Sequence, residues 1–111
     1  MSEDQARRVG LNESIFRQVN EQIQDLNRTF GSDLATMTVI CECALSDCTA
    51  RLEMPVAAYE EVRSDPRRYV VSPGHEIPEF ESVVERGEGY DVVQKRAGVP
   101  AEIAENTDPR S

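Results

Sequence analysis

Between residues 12 and 30 the apolar side chains Phe16, Val19, Ile23, Leu26 and Phe30 recur at alternating steps of three and four, with Ile15 beside them and polar residues elsewhere. That period predicts an amphipathic helix. Asn12 stands where a cap would accept from a free backbone N–H, and Gly31 stands where a left-handed residue commonly ends a helix. Steps of three and four also fit a coiled-coil seam. An isolated helix of this length is marginal in water, so the simpler expectation is that the stripe packs on the chain's own sheet, against Val39 and Val70.

The pattern then changes. Residues 37–43, MTVICEC, are dense in β-branched side chains and predict a strand running into a cysteine-rich stretch. After a loop over 44–47, residues 48–54 read as the returning strand. Pro55 suits the start of a short helix with Val56, Tyr59 and Val62 on one face, stopped by Asp65-Pro66. Strand character resumes at 68–72, Pro73-Gly74 is turn chemistry, and His75 follows at once. Residues 80–84 and 90–93, separated by Gly87-Glu88-Gly89, predict a hairpin. Beyond Gly98 the tail offers Ile103 as its only large apolar anchor, leaving short helix and disorder both open.

Together these elements predict an α+β protein: a long N-terminal helix packed on a small, mainly antiparallel sheet, with a knuckle at the cysteines and one short helix. The expected organisation is a flexible tail over 1–11, a single domain over 12–97, and a C-terminal tail over 98–111. The chain of 111 residues is the size of one domain.

Composition sharpens this picture in two ways. Only 5% of residues are aromatic and none is Trp, so the buried apolar area is modest and a crosslink or metal would assist folding. Acidic residues outnumber basic ones 21 to 12, for a net charge of −9. That sign opposes phosphate tracks and anionic lipid, so neither nucleic acid nor a membrane is an expected partner, and no window approaches a spanning helix. The first residues, MSEDQARR, lack the apolar run of a secretory signal, which leaves the cytoplasm as the expected compartment.

Three cysteines fall within eight positions in CECALSDC, residues 41–48, and there are no others. In a reducing compartment they read more readily as free thiols than as a disulfide framework, which would leave one unpaired. Side chains two apart on an extended segment share a face, so Cys41 and Cys43 can converge while Glu42 points away. A turn through Ser46 and Asp47 returns Cys48 to the same place. A closed zinc site needs a fourth ligand, and His75, the only histidine, is the candidate. If His75 stands apart, Asp47, Glu42, Glu76 or water would take that position. Iron–sulfur clusters usually take four cysteines; copper(I) would suit thiolates, but a Cys3His set is most at home with Zn2+.

With these residues in view, the chain resembles a family of small, uncharacterised bacterial proteins. Their members join a helix similar to NESIFRQVNEQI to segments similar to CECALSDC and SPGHE, over roughly residues 12–95. The resemblance implies a zinc-binding architecture with Cys41, Cys43, Cys48 and His75 as the matching positions, and carries no activity. The chain shows no glycine-rich phosphate loop and no nucleophile with a base, so an enzyme is not expected. The acidic run from Glu76 to Asp91 reads as a solvated edge. The function expected is a small cytosolic zinc-binding protein with a structural Cys3His site, a protein-interaction or regulatory module that acts through another protein, with a basic surface as the natural complement and a monomer favoured over a homo-oligomer. The alternative is a thiol sensor that releases zinc on oxidation.

Overall fold

The computed structural model describes residues 2–29, 35–45 and 47–110. Phe30, Gly31 and Ser46, which the sequence reading assigned to the stripe, the helix end and the turn, lie outside the described residues.

Helix α1 spans Glu3–Thr29 and therefore begins well before Asn12. The expected flexible tail over 1–11 is helical from Glu3 onward. Its start is set by Ser2 and Gln5: the Ser2 hydroxyl accepts from the Gln5 N–H at 3.2 Å, and the Gln5 side chain accepts from the Ser2 N–H at 2.8 Å. This reciprocal pair is a capping box, and it satisfies donors that a helix start leaves exposed. Glu3 and Asp4 in the first turn complement the helix dipole. Asn12 instead donates across to the Ala44 carbonyl at 3.1 Å.

Among the described residues five strands form two small antiparallel sheets. β1 (Thr36–Ile40) pairs with β2 (Arg51–Pro55), with Val39 opposite Leu52 and Met37 opposite Met54. The second sheet has the order β3-β5-β4, from β3 (Arg68–Val71), β4 (Glu81–Arg86) and β5 (Asp91–Lys95). α2 (Val56–Arg63) links the sheets and buries Tyr59 and Val62. α3 (Val99–Asn106) resolves the tail as a short helix, and it closes on α1 at Gly10. A Cβ at Gly10 would lie 3.0 Å from Ile103 Cδ1 and 3.2 Å from Pro100 Cα, so a side chain there would require α3 to give by a few tenths of an ångström.

The core between the sheets contains Val39, Leu52, Met54, Tyr59, Tyr69, Val70, Val92 and Val93. The predicted stripe does not contribute as expected. Ile15, Val19 and Leu26 are exposed, Phe16 is half-buried, and among the described residues of the stripe Ile23 alone is packed partly buried against the core. The buried face of α1 is mainly polar: Glu13, Arg17, Asn20, Glu21 and Gln24, with Ala6 and Gly10. The physical reason is pairing. Arg17 donates to the carbonyls of Pro66 at 2.7 Å and Ala104 at 2.8 Å, and its guanidinium stacks 4.7 Å from the Tyr69 ring centre. Arg63 bridges Glu21 at 2.5 Å and Asp108. Lys95 binds Glu13 at 2.5 Å and also Glu81. Charges so paired can be buried, and they satisfy loop and helix-end carbonyls that an apolar face would leave bare.

Among the described residues no helix is long and apolar enough to cross a membrane.

Candidate metal centre

The cysteine stretch lies where the two sheets meet. β1 ends at Ile40, but the chain keeps bonding past it: the Cys41 N–H reaches the Ala50 carbonyl at 3.0 Å, extending the first hairpin, and the next N–H, of Glu42, reaches the Val70 carbonyl on β3 at 2.9 Å. Residues 41–43 thus pass from one sheet to the other. Alternation along this extended backbone sends Cys41 and Cys43 to one side and Glu42 to the opposite side, as the sequence implied.

Glu42 is fully buried. Its carboxylate accepts from the Val70 N–H at 3.0 Å and from Asn20 Nδ2 at 2.7 Å, while Asn20 also brackets Ile40, accepting from its N–H and donating to its carbonyl, both at 2.9 Å. Asn20 therefore bolts α1 to the base of the cysteine loop, a role that its place in a helical polar face did not announce.

Cys48 returns through a turn in which its N–H bonds to the Leu45 carbonyl at 3.0 Å. His75 arrives from the other sheet. The Ser72 carbonyl accepts from the His75 N–H at 2.9 Å, with Pro73 and Gly74 between them and Gly74 at φ 86°. Proline followed by a glycine with positive φ inside such a bond is the signature of a type II turn, which explains why glycine occupies position 74.

The result is that Cys41, Cys43, Cys48 and His75 converge, with all four potential ligand atoms within 4.8 Å of one another. His75 Nδ1 lies 3.6 Å from Cys41 Sγ and 3.7 Å from Cys48 Sγ. A tetrahedral ion with metal–sulfur bonds of about 2.3 Å and metal–nitrogen bonds of about 2.0–2.1 Å separates its ligands by about 3.5–3.8 Å. The recorded sulfur–nitrogen separations match such edges. All three cysteines are free thiols. The cluster contains neither Asp47, Glu76 nor Glu42, and Glu42 is occupied on the far side.

Cys41 and Cys43 are buried, whereas Cys48 and His75 are half-exposed. Burial pushes the Cys41 thiol up to about 12, against a backbone N–H from Ser72 that donates to its sulfur at 3.1 Å; burial likewise raises Cys43. Without a cation these two sulfurs are held neutral. A bound cation supplies the charge that lets them ionise, and the Ser72 N–H is then placed to steady the thiolate.

No protein-family model, curated protein or solved structure matches the chain. The case for the site is therefore carried by these four side chains and the backbone that aims them.

Proposed function

We propose that the protein binds one Zn2+ through Cys41, Cys43, Cys48 and His75 Nδ1, and that the ion is structural, holding the β1–β2 hairpin to the β3–β5–β4 sheet. The observation that carries this reading is the convergence of four soft or borderline donors, from two different sheets, within tetrahedral reach. Four protein ligands fill a tetrahedral ion and leave no position for substrate or water, which favours a structural role over a catalytic one. The protein on this reading is a small zinc-supported platform that works through contacts with another protein in a reducing, cytoplasmic setting, where thiols remain available. Burial of Cys41 and Cys43 further favours a structural site over an oxidant-responsive one.

The test is metal analysis of purified protein together with cobalt substitution. One equivalent of zinc and a tetrahedral cobalt spectrum with sulfur-to-metal charge transfer are expected. His75→Ala should alter that spectrum and weaken retention, because one ligand is replaced by solvent. An unaltered spectrum in His75→Ala would remove this histidine from the site, and absence of stoichiometric binding by the wild type would overturn the reading.

A further inference from the structure

Of the large apolar side chains exposed among the described residues, four lie on one helix: Leu11 at 46%, Ile15 at 60%, Val19 at 37% and Leu26 at 56% of full accessibility. They fall on a common face of α1, opposite the buried charged face. Leu11, Ile15 and Val19 line an open groove of about 490 Å³ whose other lining is Ser14, Gln18, Gln22 and Thr107, with no charged side chain. A contiguous apolar surface of this kind on a soluble domain marks a contact site.

We infer that this face pairs with the same face of a second copy of the chain, α1 running antiparallel to α1 about a two-fold axis near its middle. The charges at the helix ends decide the partner and its direction. The exposed charged residues of α1 are Glu3, Asp4, Arg7, Arg8, Asp25 and Arg28, three of each sign, so this surface is locally neutral in a chain of net charge −9. Arg7 and Asp25 are eighteen positions apart, about five turns, and so stand on the same flank of the helix. A two-fold axis across antiparallel helices brings equal flanks together. Setting Ile15 against Val19 of the second copy, and Val19 against Ile15, leaves Arg7 within about 3 Å of axial register with Asp25 of the second copy. Arg28 is held within the chain by Glu60 and Asp25, and the Asp25 carboxylate, 67% exposed, stays open to Arg7 of the second copy. At Arg7 and Asp25 the pattern thus complements itself when reversed, and the same register lays the aliphatic stem of Arg8 along Leu26 of the second copy, whereas a parallel pairing would gather the Arg7 residues at one end and the Asp25 residues at the other. Such self-complementarity is what an isologous dimer requires.

This inference goes beyond the zinc reading and does not depend on it. The expectation of a monomer assumed that the chain's own sheet covered the stripe, and the exposed side chains remove that assumption.

The experiment is sedimentation of the full, zinc-analysed chain across micromolar to sub-millimolar concentrations. A reversible dimer is expected. Ile15→Asp, at an exposed position, should give a monomer with unchanged circular dichroism and zinc content. Arg7→Asp should weaken association about fivefold through two symmetric ion pairs, and Arg7→Asp with Asp25→Arg should restore it. A wild type that stays monomeric would give the face to a different occupant and overturn the pairing. A dimer that survives Ile15→Asp, or a charge swap that fails to rescue, would overturn it as well. Zinc content is read in the same samples, so failure of the dimer and failure of the metal site are separate results.

Discussion

The layer beneath α1 and the corner formed by Cys41, Cys43, Cys48 and His75 are both polar and largely buried, but their charges are arranged differently. Under α1, Lys95 stands against Glu13 and Glu81, and Arg63 against Glu21 and Asp108. Each of these carboxylates touches a cation of the chain, although Glu13 and Glu81 share theirs. In the cysteine corner three sulfurs and an imidazole converge on one point, and no Lys or Arg is among them. A buried cluster that balances itself is architecture; a cluster of donors aimed at one point can hold an ion from outside. That difference is why one region is read as a ligand site and the other is not, although the second contains more ionisable groups.

The comparison breaks most visibly if the missing charge is withheld. Stripping the metal with a chelator, or replacing Cys41 by Ser, should lower the melting temperature by about 25 °C or more, because a structural ion contributes directly to folding and each kcal/mol moves a domain of this size by several degrees. The second sheet should loosen from the first. An unchanged thermal transition after verified removal of the ion would place the cluster with the self-sufficient architecture instead.

Next in size is an attack on the balanced region. Arg63 is fully buried and touches both α1 and the segment after α3, through Glu21 and Asp108. Arg63→Ala should cost up to about 3–5 kcal/mol in urea unfolding, since Asp108 loses the Arg63 guanidinium and Glu21 is left with Arg110 alone. Zinc stoichiometry should survive under native conditions. If the variant loses less than about 1 kcal/mol, the layer is not held by these pairs and its charges are better solvated than their burial implies.

The sequence made some of this legible and hid the rest for identifiable reasons. The strands, the short α2, the Pro-Gly turn and the convergence of three cysteines on His75 followed from local rules: β-branched runs, turn residues, and alternation along an extended chain. The packing of α1 did not. A period-3.6 apolar stripe ordinarily faces inward, and Phe16, Val19, Ile23 and Leu26 set that expectation. What reverses it is long-range pairing, such as Arg17 with the Pro66 and Ala104 carbonyls or Lys95 with Glu13, and no local rule reports a partner 49 to 87 residues away. The helix start was legible in Ser2-x-x-Gln5, but Asn12 offered a competing cap nearer the apolar stripe. Asn20 gave no local signal, because its worth lies in bonding Ile40 and Glu42.

The smallest expected effect sharpens the comparison inside the balanced region, where the balance is not quite complete. Lys95 alone faces two carboxylates, Glu13 and Glu81, with the Tyr69 ring 5.5 Å from its ammonium and Arg17 stacked on that same ring. Burial, helped by the Glu81 charge and opposed by Lys95, pushes Glu13 up to about 8 from an ordinary 4.5. A carboxyl whose folded value is raised binds its proton more tightly in the fold than in the unfolded chain. Its favourable contribution is therefore complete below about 4.5 and is lost as pH rises toward about 8, at no more than ~1.4 kcal/mol per pH unit. Glu13→Gln keeps an acceptor for Lys95 and leaves Glu81 as its single counter-charge. Unfolding of zinc-loaded wild type and variant, compared from pH 6 to 9 so that acid loss of the metal is avoided, should show the wild type losing ground to Glu13→Gln as pH rises and the gap levelling off above about 8. Two curves that stay parallel across this window would mean that Glu13 carries its charge throughout, and that Lys95 balances both carboxylates without help from a proton.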